Sequence, residues 1–131
     1  MKNNCGNIVQ GNFNKKLFKA NSKNQSKINK FSLGLKFGSV CIVFNGTRKG
    51  LLIPCFLRNS YSVNFRFDYS FNIGDFEFDQ KNIYCTLQFK EGYCFCVVSW
   101  DSIFAMRLEY NNNDLFWFDD MPDQVRVNFN L

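Results

Sequence analysis

From Val40 onward, apolar residues recur in short runs with a period of two. That periodicity confines the chain to a mainly β fold more firmly than any other feature it carries. Ser62–Phe67 sets Val63, Phe65 and Phe67 on one face and Asn64 and Arg66 on the other. Asn82–Phe89 sets Ile83, Cys85, Leu87 and Phe89 against Tyr84, Thr86 and Gln88. Val40–Phe44, Asp75–Asp79, Tyr93–Val98, Phe104–Tyr110 and Leu115–Phe118 complete the series, and Leu51–Ile53 is a brief extended piece stopped by Pro54. Lys90-Glu91-Gly92 has the composition of a hairpin turn. Strands of this kind, spaced by roughly 8–12 residues, describe a β-sandwich or a small open barrel.

Ahead of Val40 the spacing is helical. Phe13, Leu17 and Ala20 form one weak stripe, and Ile28, Phe31 and Leu35 a stronger one. The spacing predicts one short amphipathic helix over Ser26–Phe37. Gly34 weakens it by up to ~1 kcal/mol, and Gly38 is suited to end it. The chain therefore divides into a basic Asn/Lys-rich arm (1–26), a β domain with its leading helix (27–118) and a short tail (119–131).

Charge is distributed unevenly. Residues 1–67 hold twelve of the sixteen Lys and Arg and no acid, whereas 68–131 hold four basic residues and all eleven acids, so the halves carry +12 and −7. Such asymmetry suits a partner of opposite charge, and a small RNA-binding β-barrel using the basic arm is the alternative reading. The aromatic residues argue against it. They alternate with polar residues at strand spacing, as a Phe-rich core requires, and Arg and aromatic residues do not interleave densely on one face, Arg66 being the main exception.

The chain has no histidine, which excludes a Ser-His-Asp triad, a Cys-His nucleophile and imidazole metal ligands. Neither G-x-x-x-x-G-K nor G-x-G-x-x-G occurs. The six cysteines include no C-x-x-C pair and are expected to be free, mostly buried thiols. Asp75, Glu77 and Asp79 share one strand face and are expected to be solvated, since an oxygen cage for a cation needs a loop that converges its ligands. Asp119-Asp120 is expected to be a soluble exit from the last strand. No enzymatic activity, catalytic residue, metal or cofactor is expected. No run reaches the ~18 apolar residues of a membrane span. The start, MKNNCGNIVQ, lacks the apolar core of a signal peptide, so a cytoplasmic location is expected.

Four segments between Val40 and Pro122, in order, resemble the stringent starvation protein B (SspB) family of ClpXP protease adaptors. They are VCIVFNGTRKGLLIP with CFLRN (Val40 to Asn59), SVNFRF with DFEFDQKNIYCTLQF, CVVSWDSIFAM (Cys96 to Met106) and LFWFDDMP (Leu115 to Pro122). The resemblance implies an Sm-like open β-barrel behind a dimer-forming helix. It implies a non-enzymatic adaptor that binds ssrA-tagged polypeptides and tethers them to the N-terminal domain of ClpX through its tail, raising their effective concentration. Carried onto this sequence, the apolar tag groove falls on Val63 and Phe65, Leu87 and Phe89, and Phe116 and Trp117. Adjacent residues of a strand point to opposite faces, so Phe116 and Trp117 cannot both line it. The ending QVRVNFNL has the hydrophobic-Arg-hydrophobic character of a ClpX-docking tail, though no long linker precedes it.

Overall fold

The computed structural model describes residues 14–68 and 76–129, apart from the side chains of 14–22. The architecture is mainly β, with two antiparallel sheets and one leading helix, as the period-two runs require. The helix α1 spans Asn14–Phe37, and the strands are β1 (Val40–Phe44), β2 (Val63–Phe67), β3 (Glu77–Phe78), β4 (Asn82–Phe89), β5 (Gly92–Ser99), β6 (Ile103–Leu108) and β7 (Asn113–Phe116). One sheet has the order β2-β1-β6-β7, the other β3-β4-β5. The β4–β5 hairpin pairs from Phe89↔Gly92 to Asn82↔Ser99, and Leu52 adds a single bridge to Val97.

The helix is longer than the spacing predicted. It continues through the expected arm boundary at residue 26 back to Asn14, so at least residues 14–26 are helical. No Gly or Pro interrupts the chain between Asn14 and Leu33, and its Lys, Gln, Leu and Ala residues favour helix. Residues 1–13 of the expected arm lie outside the described residues. The inner face carries Lys27, Phe31, Gly34 and Leu35, all buried. Gly34 lies close against the four-stranded sheet. A Cβ there would run into the side chains of Val40 and Leu108, the latter at 2.7 Å. The glycine that weakens the helix is thus what lets it dock.

Phe31 sits where the helix meets both sheets. Its ring meets Phe67 of β2 at 5.5 Å, Phe78 of β3 at 5.3 Å and Trp100 at 5.4 Å, all edge-on. Around it lie Val40, Ile42, Phe44, Ile83, Val98 and Ile103, fully buried.

The tail is docked as far as Phe129. It forms helical turns over Phe118–Asp120, Asp123–Arg126 and Val127–Phe129. Met121, 4% exposed, packs with Phe104 and Ala105, against the half-buried Val43 and Val125. Asp120 is no soluble exit. Its carboxylate accepts from Lys27 (2.7 Å) and Lys23 (2.9 Å) of α1. Arg66 likewise pairs with Glu109 at 3.2 Å, and Asn24 donates to Asp101 at 3.0 Å. Part of the sequence's charge asymmetry is therefore consumed inside the fold. Among the described residues no helix is long and apolar enough to cross a membrane.

Candidate functional site: an apolar seam between the sheets

Pairing with β1 turns Val63, Phe65 and Phe67 of β2 into the space between the sheets. From the other side β4 presents Ile83 and Cys85, which are buried, then Leu87 and Phe89, which are half-buried. Exposure rises along β4 towards its turn with β5, so the far end lies at the rim. Pro54 then starts a tight helical turn, Cys55–Leu57, which carries Phe56 to the same rim with 56% of its surface exposed.

The result is a ladder of rings from core to solvent. Phe44 meets Phe65 at 5.0 Å, Phe65 meets Phe89 at 6.2 Å, and Phe89 meets Phe56 at 5.8 Å. Val63 and Phe65 are floor, at 4% and 6% exposure, while Phe56, Leu87 and Phe89 are the accessible wall. Cys94 stands opposite Leu87 in the hairpin and is half-buried. These side chains carry no carboxylate, amine or guanidinium. The seam is built to bury apolar side chains, not to move protons.

Four of the six predicted groove residues, Val63, Phe65, Leu87 and Phe89, thus belong to one region. Phe116 and Trp117 do not join them. β7 lies at the opposite edge of the four-stranded sheet from β2, about 14 Å away at the usual strand spacing. Trp117 turns inward, half-buried against the core, with Lys27 Nζ 5.6 Å from its ring centre. Phe116 turns outward and packs on Phe118 (5.7 Å) and Phe129 (5.4 Å). With Cys41, Val43, Ala105 and Arg107 it lines a separate trough of about 360 Å³ on the outer sheet face. Sequence reasoning missed Phe56, whose signal was the Pro-initiated turn after an extended piece.

Outside the seam the titratable groups act structurally. Arg66 Nη2 donates to Ser39 Oγ (2.9 Å), Ser39 donates to Asp68 (2.7 Å), and the Cys41 thiol donates to Glu109 (3.2 Å). Burial and then Glu109 push the Cys41 thiol up to about 11, and burial pushes Cys85 and Cys96 up to about 12. These thiols stay protonated and unreactive at neutral pH. Cys55 is exposed, and the five described cysteines are free. Among the described residues no group of three His, Cys, Asp or Glu side chains could hold a metal ion. Asp75, the first of the acidic trio, lies outside the described residues.

Asp79 closes the β3–β4 turn. Its Oδ1 accepts from the backbone N–H groups of Lys81 and Asn82, both at 2.8 Å, and its Oδ2 from the Tyr84 hydroxyl at 2.9 Å. Burial alone would raise this carboxyl. The hydrogen bonds from Asn82, Lys81 and Tyr84 outweigh that and hold it below its ordinary 3.8. A carboxyl depressed on folding stabilises above its unfolded pKa and loses that contribution as pH falls through the folded value. Asp79→Asn keeps an acceptor for the turn but cannot titrate. Urea midpoints measured from about pH 7 down to about pH 3 are therefore expected to fall less steeply in Asp79→Asn than in the wild type. Equal slopes would remove Asp79 from the acid response.

No protein-family model matches this chain, and no curated protein matches it.

Proposed function

We propose that this protein is a non-enzymatic peptide-binding adaptor of the SspB type, which takes the apolar residues of ssrA-type degradation tags into the seam and tethers tagged substrates to ClpXP. The observation that carries the reading is the convergence of Val63, Phe65, Leu87 and Phe89 with the exposed Phe56 at an apolar rim between the sheets. An extended peptide places alternate side chains on one side, and such a rim offers apolar cover to them. The ordered motif resemblance and the helix-then-strands architecture support the same reading. Phe116 and Trp117 lie outside this site. In this reading ClpX is met by the outward residues of the docked tail, Val127 and Phe129, which are 66% and 42% exposed. A dimer through α1 would use Leu33 and Phe37, exposed large apolar residues among its described side chains.

Titration of a fluorescent ssrA peptide at about 0.15 M salt is expected to show saturable binding. Leu87→Gln and Phe56→Ser each alter the accessible wall without opening the core, and each is expected to weaken binding about tenfold, ~1.4 kcal/mol. Absence of saturable binding, or affinity unchanged in both variants, overturns the assignment. RNA binding that falls steeply with salt would favour the nucleic-acid alternative in its place.

A further inference from the structure

The walls of the seam are apolar, but one of its ends is cationic. Val63, the floor residue that begins β2, abuts Gly46: a Cβ on that glycine would stand 2.9 Å from Val63 Cγ2. Gly46 opens the turn 46–50, which carries Arg48 and Lys49, both exposed. The Gly46 N–H donates to the Ser60 carbonyl at 2.9 Å, tying this turn to the segment that follows Phe56. Arg58 lies in that segment, two residues beyond Phe56. Its Nη1 donates to the Leu51 carbonyl at 3.1 Å, which holds the guanidinium beside the residue that leaves the turn.

Among the described residues, Arg48, Lys49 and Arg58 form no ion pair with a carboxylate. The acid that reaches them is Asp101, and it meets Arg48 through its backbone carbonyl, at 3.0 Å. Its carboxylate accepts instead from the Asn24 amide, also at 3.0 Å. Three cations thus face one acid. A guanidinium presents five N–H donors in a planar fork that matches a carboxylate. Among the described contacts Arg58 uses one of them. It is half-buried, where a charge is screened less than at an open surface. At the other end of the seam Lys90 follows Phe89, but Glu91 stands next to it and offsets its charge. The positive end is therefore the one where Val63 meets the turn.

We infer that the seam reads charge as well as apolar surface: its occupant is an extended peptide whose apolar residues are flanked by an acidic side chain, and Arg58, with Arg48 and Lys49, receives that carboxylate at the Val63 end. The turn lies beyond the apolar wall, so a peptide that continues past Val63 brings a side chain, not its terminus, among the cations. Complementary charge there speeds encounter and rejects the wrong partner. An apolar peptide without an acid leaves the three cations unanswered and is the weaker ligand. This selectivity rests on the seam being a peptide site.

Fluorescence anisotropy on the intact chain tests it with three labelled peptides. The first is an ssrA-type peptide with acidic side chains and an amidated C-terminus. In the second every Asp and Glu is replaced by Asn and Gln, and the third is the second with a free C-terminal carboxylate. The wild type is expected to bind the first about tenfold more tightly than the second at about 0.05 M salt. That ratio is expected to fall at about 0.5 M. Arg58→Gln is expected to bring the ratio close to one. Arg48→Gln/Lys49→Gln changes two exposed side chains and leaves the Leu51 contact in place. It is the second variant and is expected to lower the ratio with an unchanged circular dichroism spectrum. Equal binding of the first two peptides by the wild type overturns the inference and leaves the seam reading standing. So does a ratio that survives both variants, or a third peptide that binds as tightly as the first. Binding of no peptide overturns the seam reading, and the charge selectivity falls with it.

Discussion

Asp120→Ala is expected to destabilise the protein by about 3–5 kcal/mol, the cost of stranding a buried charge by removing its partner. The stranded group is Lys27. Its side chain is fully buried beneath the tail, and its ammonium donates to Asp120 Oδ2 and to the Trp100 carbonyl, both at 2.7 Å. Burial already holds that ammonium below its ordinary 10.5, against the opposing pull of Asp120. Removing the carboxylate leaves one carbonyl and the face of Trp117 to solvate it. The reverse change is milder. In Lys27→Met the carboxylate keeps Lys23, whose side chain is 36% exposed, at 2.9 Å. Combining Asp120→Ala with Lys27→Met removes charge from both sides, and replacing buried pairs by apolar groups is often neutral. The double variant is therefore expected to be more stable than Asp120→Ala alone, a non-additivity that a double-mutant cycle in urea reads directly. The pH dependence supplies a further sign. A lysine depressed on folding means the unfolded chain binds more protons, so stability rises with pH between the folded value and 10.5. Removing Asp120 lowers the folded value of Lys27 further, so the deficit of Asp120→Ala should shrink as pH rises from that lower value to the wild-type one. A loss under about 1 kcal/mol, the size of a surface pair, would show that water reaches Lys27.

The strands were legible because their alternation is strict. Val40–Phe44 and Asn82–Phe89 occur with the bounds read from the sequence, and Ser62–Phe67 begins one residue later, at Val63. Alternation also identified the inner faces, since Val63, Phe65, Phe67, Ile83 and Cys85 are all buried. It could not say which strands become neighbours across the core. Phe116 and Phe89 read alike as apolar strand residues, yet strand order sends one to an outer trough and the other to the inner seam. The helix stripe of Ile28, Phe31 and Leu35 was correct, but a hydrophobic pattern scores every lysine as outward. Lys27 lies one turn before Phe31, on the buried face, and its acceptor is 93 residues away in the chain. Local periodicity has no access to a partner at that separation. The same blindness made Asp120 look like a solvated exit.

Trp100→Ala carries the other large expected effect, about 3–5 kcal/mol, the usual cost of emptying an aromatic core site. The position joins several connections. Its side chain is fully buried. The ring packs edge-on against Phe31 of α1 at 5.4 Å and Phe78 of β3 at 6.1 Å, and the indole N–H donates to the Asp79 carbonyl at 2.7 Å. Its backbone N–H reaches Lys81 O at 3.0 Å, and its carbonyl accepts from Lys27. Helix, three-stranded sheet and tail latch therefore all meet at one residue, the first two through its side chain. Alanine withdraws the ring contacts and leaves the Asp79 carbonyl without its donor. Trp100→Phe separates the two losses, because phenylalanine keeps most of the packing and forfeits the N–H. It is expected to cost about 1–3 kcal/mol, the penalty of an unsatisfied buried acceptor. Chemical denaturation followed by circular dichroism checks both, with an unchanged m-value indicating that stability and not compactness has moved. Equal losses for alanine and phenylalanine would assign the anchor to the hydrogen bond. A phenylalanine variant as stable as the wild type would assign it to the ring. The expected order, alanine well below phenylalanine and phenylalanine below tryptophan, requires both. It ties the β3–β4 turn to the helix that begins the fold.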